Sequence, residues 1–93
     1  MGTRMPQILD KTVLEDELAV SLARALAAAN VRARREGVEI SGSLVTAAEH
    51  TGTGGPCWRI SYGPRDYIHR RGGDVVIDVG LEDGQVRRVL RGQ

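Results

Sequence analysis

The feature that most constrains the fold is a change of hydrophobic period at Gly37. Before it, from Leu14 to Ala33, apolar residues recur every three or four positions, as they do on one face of an α-helix. After it, apolar and polar residues alternate, as they do along β-strands. The chain therefore predicts one helix followed by a set of strands.

The predicted helix spans residues 13–36. Thr12 and Glu15 have the spacing of a capping box, acidic residues fill the first turn, and arginines fill the last, which complements the helix dipole. Gly37 stands where a glycine ends many helices. Residues 1–11 are expected to form a loose N-terminal tail outside the fold.

Four alternating segments follow, at residues 38–50, 57–63, 74–81 and 85–92. TGTGGP is expected to be a flexible hairpin loop between the first two, and EDG at residues 82–84 a short turn between the last two. The last segment is rich in arginine and is predicted to be an edge strand. The fold class is therefore α+β, a single domain over residues 1–93 with the N-terminal helix packed on a four-stranded antiparallel meander.

Alternation also predicts which side chains face the helix. On the first strand these are Val38, Ile40, Leu44 and Thr46, and on the later strands they include Trp58, Ile60, Tyr62, Val75, Ile77 and Val79. One helix leaves the far face uncovered, and that face is predicted to carry Glu39, Ser41, Ser43, Arg59, Ser61 and Asp78, interrupted by Val45 and Val76. That face is expected to be either solvated or a moderately polar homodimer surface.

Composition excludes several classes of protein. Thirteen basic against twelve acidic residues give a net charge of +1, which argues against a dedicated nucleic-acid binder. The single cysteine excludes an internal disulfide and is compatible with the reducing cytosol, so a cytoplasmic location is expected. Neither a signal peptide nor a run of roughly 20 apolar residues is visible, so no membrane association is expected.

The longest connection, YGPRDYIHRRGGD at residues 62–74, is the best candidate for a contact surface. Nine residues separate Gly63 from Gly73, more than a hairpin usually needs. Tyrosine, tryptophan and arginine contribute most of the energy at many interfaces. The alternative is that Tyr67 and Ile68 fold back over the core while the arginines face water. The predicted ligand or partner contacts are Trp58, Tyr62, Arg65, Tyr67, His69, Arg70 and Arg71.

Other groupings have a structural explanation that we prefer. GTGGP lacks the strand–loop–helix context and the Lys-Ser/Thr pair of a phosphate loop. Cys57 with His50 or His69 has the types of a nucleophile and a base, but a lone cysteine beside a tryptophan is usually a small buried hydrophobe. No catalytic residue is therefore predicted, and the chain is expected not to be an enzyme.

Two further groupings concern ions. A metal would need His50 and His69 with carboxylates such as Glu49 or Asp66, which lack ligand spacing, so neither a metal nor a cofactor is predicted. An anion-binding edge could form from arginines on the last strand and the long loop, namely Arg70, Arg71, Arg87, Arg88 and Arg91. The preferred alternative is a solvated edge that Asp74, Glu82 and Asp83 partly neutralise.

The C-terminal stretch GGDVVIDVGLEDGQVRRVLRGQ resembles the last strand pair of small cystatin-like α+β modules. PepSY domains share its apolar strand, acidic-glycine turn and valine-rich final strand, and nuclear-transport-factor-like immunity proteins often share the preceding Gly-Gly. The resemblance covers about the last fifth of the chain and the order of helix and strands. It implies a cystatin-like roll with a binding or inhibitory role and brings no catalytic residues.

These observations predict a small interaction module without catalytic activity, a homodimer that binds a protein or a small ligand through the open sheet face or the long loop. The alternative is a ligand-binding protein or minor enzyme with a pocket between the helix and a curled sheet, lined by Trp58, Tyr62, Cys57 and His69. A cavity of roughly 300 Å³ or more beneath the helix would favour the alternative. A filled core there would favour the interaction module.

Overall fold

The computed structural model describes residues 15–52, 54–64 and 74–92. Helix α1 spans Glu17–Arg35 and is followed by a 3₁₀ turn at Ile40–Gly42. Strands β1 (Ser43–Gly52), β2 (Gly55–Pro64), β3 (Val75–Gly80) and β4 (Val86–Arg91) form one antiparallel sheet in the order β1-β2-β3-β4. The predicted α+β class, the meander order and the edge position of β4 are confirmed.

Helix α1 begins later than predicted and ends as predicted. The Asp16 side chain is the N-cap and accepts a 2.9 Å hydrogen bond from the Ala19 N–H, so Glu15 lies in the turn before the helix. Thr12 lies outside the described residues. At the other end Gly37 has φ of +90°, and the Val38 N–H donates to the Ala33 carbonyl at 2.9 Å. This is a Schellman motif, which requires a residue with positive φ.

The prediction of which β1 side chains face the helix is wrong, because a 3₁₀ turn at Ile40–Gly42 precedes the strand. Val38 and Ile40 pack against the core as expected, but Leu44 is 57% exposed, and Thr46 lies on its face of the sheet. Val45 pairs with the buried Tyr62 and points toward the helix layer instead. The turn interrupts the strand and shifts its phase by one residue, which moves every later side chain to the opposite face.

The core lies between α1 and the central strands. Ala25, Ala29 and Ala33 line one face of the helix and are at most 1% exposed. Their small side chains let α1 pack closely against the larger side chains of β2 and β3, which are also buried: Trp58, Ile60, Tyr62, Val75, Ile77 and Val79. The predicted inner faces of these two strands are therefore confirmed.

The two hairpin turns differ from each other in how well they were predicted. β1 and β2 extend through most of TGTGGP, since Gly52 pairs with Gly55, so the expected loop is a tight turn. Gly84 in the β3–β4 turn has φ of +66°, as predicted for its glycine. No helix among residues 15–52, 54–64 and 74–92 is long and apolar enough to cross a membrane.

Candidate functional site

Two of the seven predicted contact residues are core residues. Trp58 is 6% exposed and its Nε1–H donates to Ser21 Oγ at 2.9 Å, while Tyr62 is 1% exposed and its hydroxyl donates to Asn30 Oδ1 at 2.6 Å. Both bonds join the sheet to α1. The other five predicted contacts lie outside the described residues: Arg65, Tyr67, His69, Arg70 and Arg71.

A cavity of about 820 Å³ lies at one end of the helix–sheet interface, between the first half of α1 and the β3–β4 turn. Its walls include four carboxylates and one guanidinium, from Glu15, Glu17, Glu82, Asp83 and Arg24. Trp58 and Tyr62 fill the core beside it instead of lining it. Among the described residues, buried side chains occupy the space beneath the middle of the helix, and this cavity lies at its end.

The outer edge of β1 is exposed along most of its length. Seven of its ten residues are exposed, among them Ala47 on the helix side and Ala48 on the far side, so α1 does not cover this strand. β1 contains one carboxylate, Glu49, and neither proline nor lysine nor arginine. The predicted meander already implied that β1 is an edge strand, but the alternation did not predict that both of its faces are largely exposed.

The opposite edge, β4, has the features that protect sheet edges from pairing. It has only six residues, three of them arginine, and its pairing with β3 is interrupted by a bulge at Asp78/Val79. Short length, charge and bulges all discourage a further strand from adding to an edge. Within the part of the chain that the structure describes, the two edges of the sheet are therefore unequal, and β1 is the one that lacks these protective features.

Charged groups converge on the far face, as the alternation predicted for Arg59 and Asp78. Arg59 donates two hydrogen bonds to Asp78, Nε to Oδ1 at 2.8 Å and Nη2 to Oδ2 at 2.9 Å. Arg88 Nε lies 3.9 Å from the same carboxylate. The Arg59 hydrogen bond holds the pKa of Asp78 below its usual value, against the opposing effect of burial.

Cys57 and His50 are directly opposite each other on β2 and β1, so the structure brings together the predicted nucleophile and base types. Burial raises the pKa of the Cys57 thiol, and the Asp78 carboxylate raises it further. The thiolate is the reactive form of cysteine, so these surroundings favour the inert thiol. The cysteine therefore has the surroundings of a buried structural residue.

The arginines of the predicted anion-binding edge separate into two groups. Arg87 and Arg88 lie on the far face with Arg59, whereas Arg91 Nη1 lies on the helix side and donates to Glu36 Oε1 at 3.0 Å. Within the described ranges, no group of three or more His, Cys, Asp or Glu side chains is placed to hold a metal ion. Asp66 and His69 fall outside those ranges.

No protein-family model matches this chain, and neither a curated protein nor a solved structure matches it.

Proposed function

We propose that this protein is an interaction module without catalytic activity, which forms a homodimer by antiparallel pairing of β1 with β1 of a second copy. The exposed, unprotected edge of β1 carries the proposal. Such an edge presents unpaired backbone groups that another strand can satisfy. A second copy is the favoured partner because a domain of this size buries a modest fraction of its surface, and symmetric dimers are the commonest assemblies.

Charge limits the register of such a dimer. A two-fold axis perpendicular to the sheet places one residue of β1 opposite its own copy. An axis at Glu49 would bring two carboxylates together, which is destabilising. An axis at Ala47 or Ala48 instead places Glu49 opposite Val45 or Ala47 of the second copy, both uncharged. The favoured dimer is therefore an eight-stranded sheet centred on the two alanines, with both helices on one side.

The test is the mass of the protein by light scattering over a range of concentrations up to high micromolar. We expect a dimer for the wild type and at least about tenfold weaker association for Ala48→Lys, because two lysines meet near the axis. Ala27→Lys adds the same charge on the exposed face of α1 and should leave the dimer intact. Ala48→Glu should also dissociate, and a mixture with Ala48→Lys should form a heterodimer.

A monomeric wild type, or an Ala48→Lys variant that associates as strongly as Ala27→Lys, would refute pairing through β1. Assembly with another protein through β1 while the pure chain stays monomeric would replace the homodimer with a heterologous partner. The contact role of residues 65–73 remains a prediction that this experiment does not address.

The cavity at the end of the helix supports the second candidate, a small-ligand-binding protein. Its volume of about 820 Å³ lies in the range of ligand pockets. Its excess of carboxylates favours a cationic ligand. The cystatin-like resemblance implies binding without catalysis, which suits either candidate. The homodimer is preferred because the core beneath the helix, where the ligand hypothesis placed its pocket, is filled by Trp58 and Tyr62.

A further inference from the structure

The far face of the sheet contains a depression of about 170 Å³ at the end nearest the β1–β2 turn. Its lining residues come from all four strands and that turn, and they include three guanidinium groups and one carboxylate: Arg59, Arg87, Arg88 and Asp78. The lining also includes Gly54 and Gly55 at the turn and the neighbouring pair His50 and Cys57. The lining therefore carries an excess of positive charge, and a second carboxylate, Asp83, lies beside Arg87.

A β-bulge explains how two neighbouring arginines reach the same face. Asp78 pairs with Arg88, but the next residue, Val79, pairs with Val86, so Arg87 is the extra residue of β4. In a regular strand successive side chains point to opposite faces, and a bulge re-aims one of them. Val86 accordingly packs on the helix side, while Arg87 and Arg88 both lie on the far side.

Glycine makes room for the Arg87 side chain. A Cβ at Gly80 would lie 2.6 Å from Arg87 Nη2 and 2.8 Å from Nε, so the guanidinium lies directly on the Gly80 backbone. Its Nη1 donates to the Gly54 carbonyl, and its Nη2 is 3.8 Å from Asp83 Oδ2. Contacts on both sides hold this guanidinium at the rim of the depression.

The guanidinium groups retain donors for a ligand. Arg59 uses Nε and Nη2 on Asp78, which leaves Nη1. Arg88 is 55% exposed, and its 3.9 Å approach to Asp78 is too long for a hydrogen bond. Arginine presents its donors as a planar fork that suits phosphate and carboxylate oxygens. The depression therefore has both excess positive charge and unused, partly fixed donors.

We propose that this depression binds a small oxyanion of the phosphate type, held by Arg88 and Arg87, with the Arg59–Asp78 pair fixing the wall between them. The volume of about 170 Å³ is below the range for drug-sized ligands and suits a group of a few atoms. The anion can be free phosphate or the phosphoryl group of a small monoester. The site lies on the far face and does not depend on how the β1 edge is partnered.

The test uses inorganic phosphate and phenyl phosphate in separate titrations, followed by backbone amide chemical shifts in NMR at constant ionic strength set with chloride. We expect saturable shifts centred on Gly54, Gly80 and Arg87. Arg88→Met should weaken phosphate binding by about tenfold or more, since it removes charge-assisted hydrogen bonds. Arg35→Met removes the same charge from the exposed surface of α1, away from both cavities, and should change the affinity less than about twofold.

If phosphate and phenyl phosphate both saturate the site with equal affinity, the site recognises the phosphoryl group itself. If phenyl phosphate binds more tightly, the site recognises a phosphoryl group that is attached to a larger molecule. Both outcomes support the site. Shifts that do not saturate, or equal weakening by Arg88→Met and Arg35→Met, would reduce the effect to general electrostatic attraction and overturn the proposal. Arg87→Met provides a second variant, so that a folding defect in one does not decide the result.

Discussion

Asp78 is unusual among the described residues because it is a carboxylate with only 6% of its surface exposed. Arg59 donates a hydrogen bond to each carboxylate oxygen, which keeps Asp78 charged and lowers its pKa. Burying a charge is costly unless it is paired, so each residue of this pair depends on the other. The pair lies between the core strands and the arginine-lined depression and helps to define both.

We expect Asp78→Asn to lower the free energy of unfolding by about 1–3 kcal/mol at neutral pH, because it leaves Arg59 partly buried without its counter-ion. The folded-state pKa lies below the unfolded value of about 4, so the unfolded chain takes up the proton first. This stabilisation is therefore complete above that pH and is lost as the pH falls further. The variant should lose less stability than the wild type in acid.

Denaturant unfolding measured at several pH values between neutral and strongly acid conditions gives both quantities. Asp83→Asn is the matched control, since Asp83 is exposed and lies 3.8 Å from Arg87. It should change the free energy of unfolding by less than about 0.5 kcal/mol. Equal losses for the two variants, or unchanged acid sensitivity in Asp78→Asn, would contradict the importance of the Arg59–Asp78 pair.

At the scale of single elements, the end of α1 depends on one backbone conformation. Gly37 has φ of +90°, and the bonds around it, Val38 N–H to Ala33 and Gly37 N–H to Arg34, satisfy the last helix carbonyls. We expect Gly37→Ala to lower the free energy of unfolding by about 1 kcal/mol, because residues with a Cβ disfavour this region.

Gly42→Ala is the control for this prediction, since a Cβ at Gly42 meets no atom within 4 Å and its φ is not in the left-handed region. It should change stability by less than about 0.5 kcal/mol. Equilibrium denaturation of the two variants measures the difference. If Gly37→Ala and Gly42→Ala lower the free energy of unfolding by the same amount, the positive φ does not explain the glycine at residue 37. Steric space and general chain entropy would then account for it.

The elements differ in how far sequence could predict them. The helix end and the β3–β4 turn were predictable because glycine at a positive-φ position is a local signal. The faces of β1 were not predictable, because the 3₁₀ turn at Ile40–Gly42 reverses the phase of the strand and the alternation of apolar and polar residues does not reveal that turn. The depression was hidden for a similar reason, since it needs a bulge that places Arg87 and Arg88 on one side.

At the scale of the whole molecule, two polar bonds cross the interface between helix and sheet. Trp58 donates to Ser21 near the start of α1, and Tyr62 donates to Asn30 about two and a half turns later. Each satisfies a polar atom that the apolar core would otherwise leave without a partner. Together these two hydrogen bonds fix the position of α1 along the strands. The small alanine side chains of the helix face do not determine that position by themselves. Ionising the Tyr62 hydroxyl therefore tests the docking of the two layers.

Tyr62 supplies that test, because burial raises its pKa to about 12. The pKa of Tyr62 in the folded chain lies above its unfolded value of about 10. The stabilisation that comes from keeping this hydroxyl protonated in the folded state is therefore complete below pH of about 10 and is lost as the pH rises toward 12. In Tyr67→Phe, Tyr62 is the only tyrosine, and its phenolate can be followed alone by ultraviolet absorbance while circular dichroism reports the fold.

We expect the phenolate of Tyr62 to appear with a midpoint near 12, or together with the loss of the circular dichroism signal if the chain unfolds first. In denaturant the same phenol should titrate near 10, which provides the unfolded reference. Ionisation near 10 with the fold intact would mean that water reaches the hydroxyl, and that the bond to Asn30 does not hold the helix on the sheet. Ionisation of Tyr62 near pH 12 that coincides with unfolding would instead mean that the helix and the sheet separate in one cooperative event. A phenolate is costly to bury in this apolar core, so the two layers must part to expose it to water.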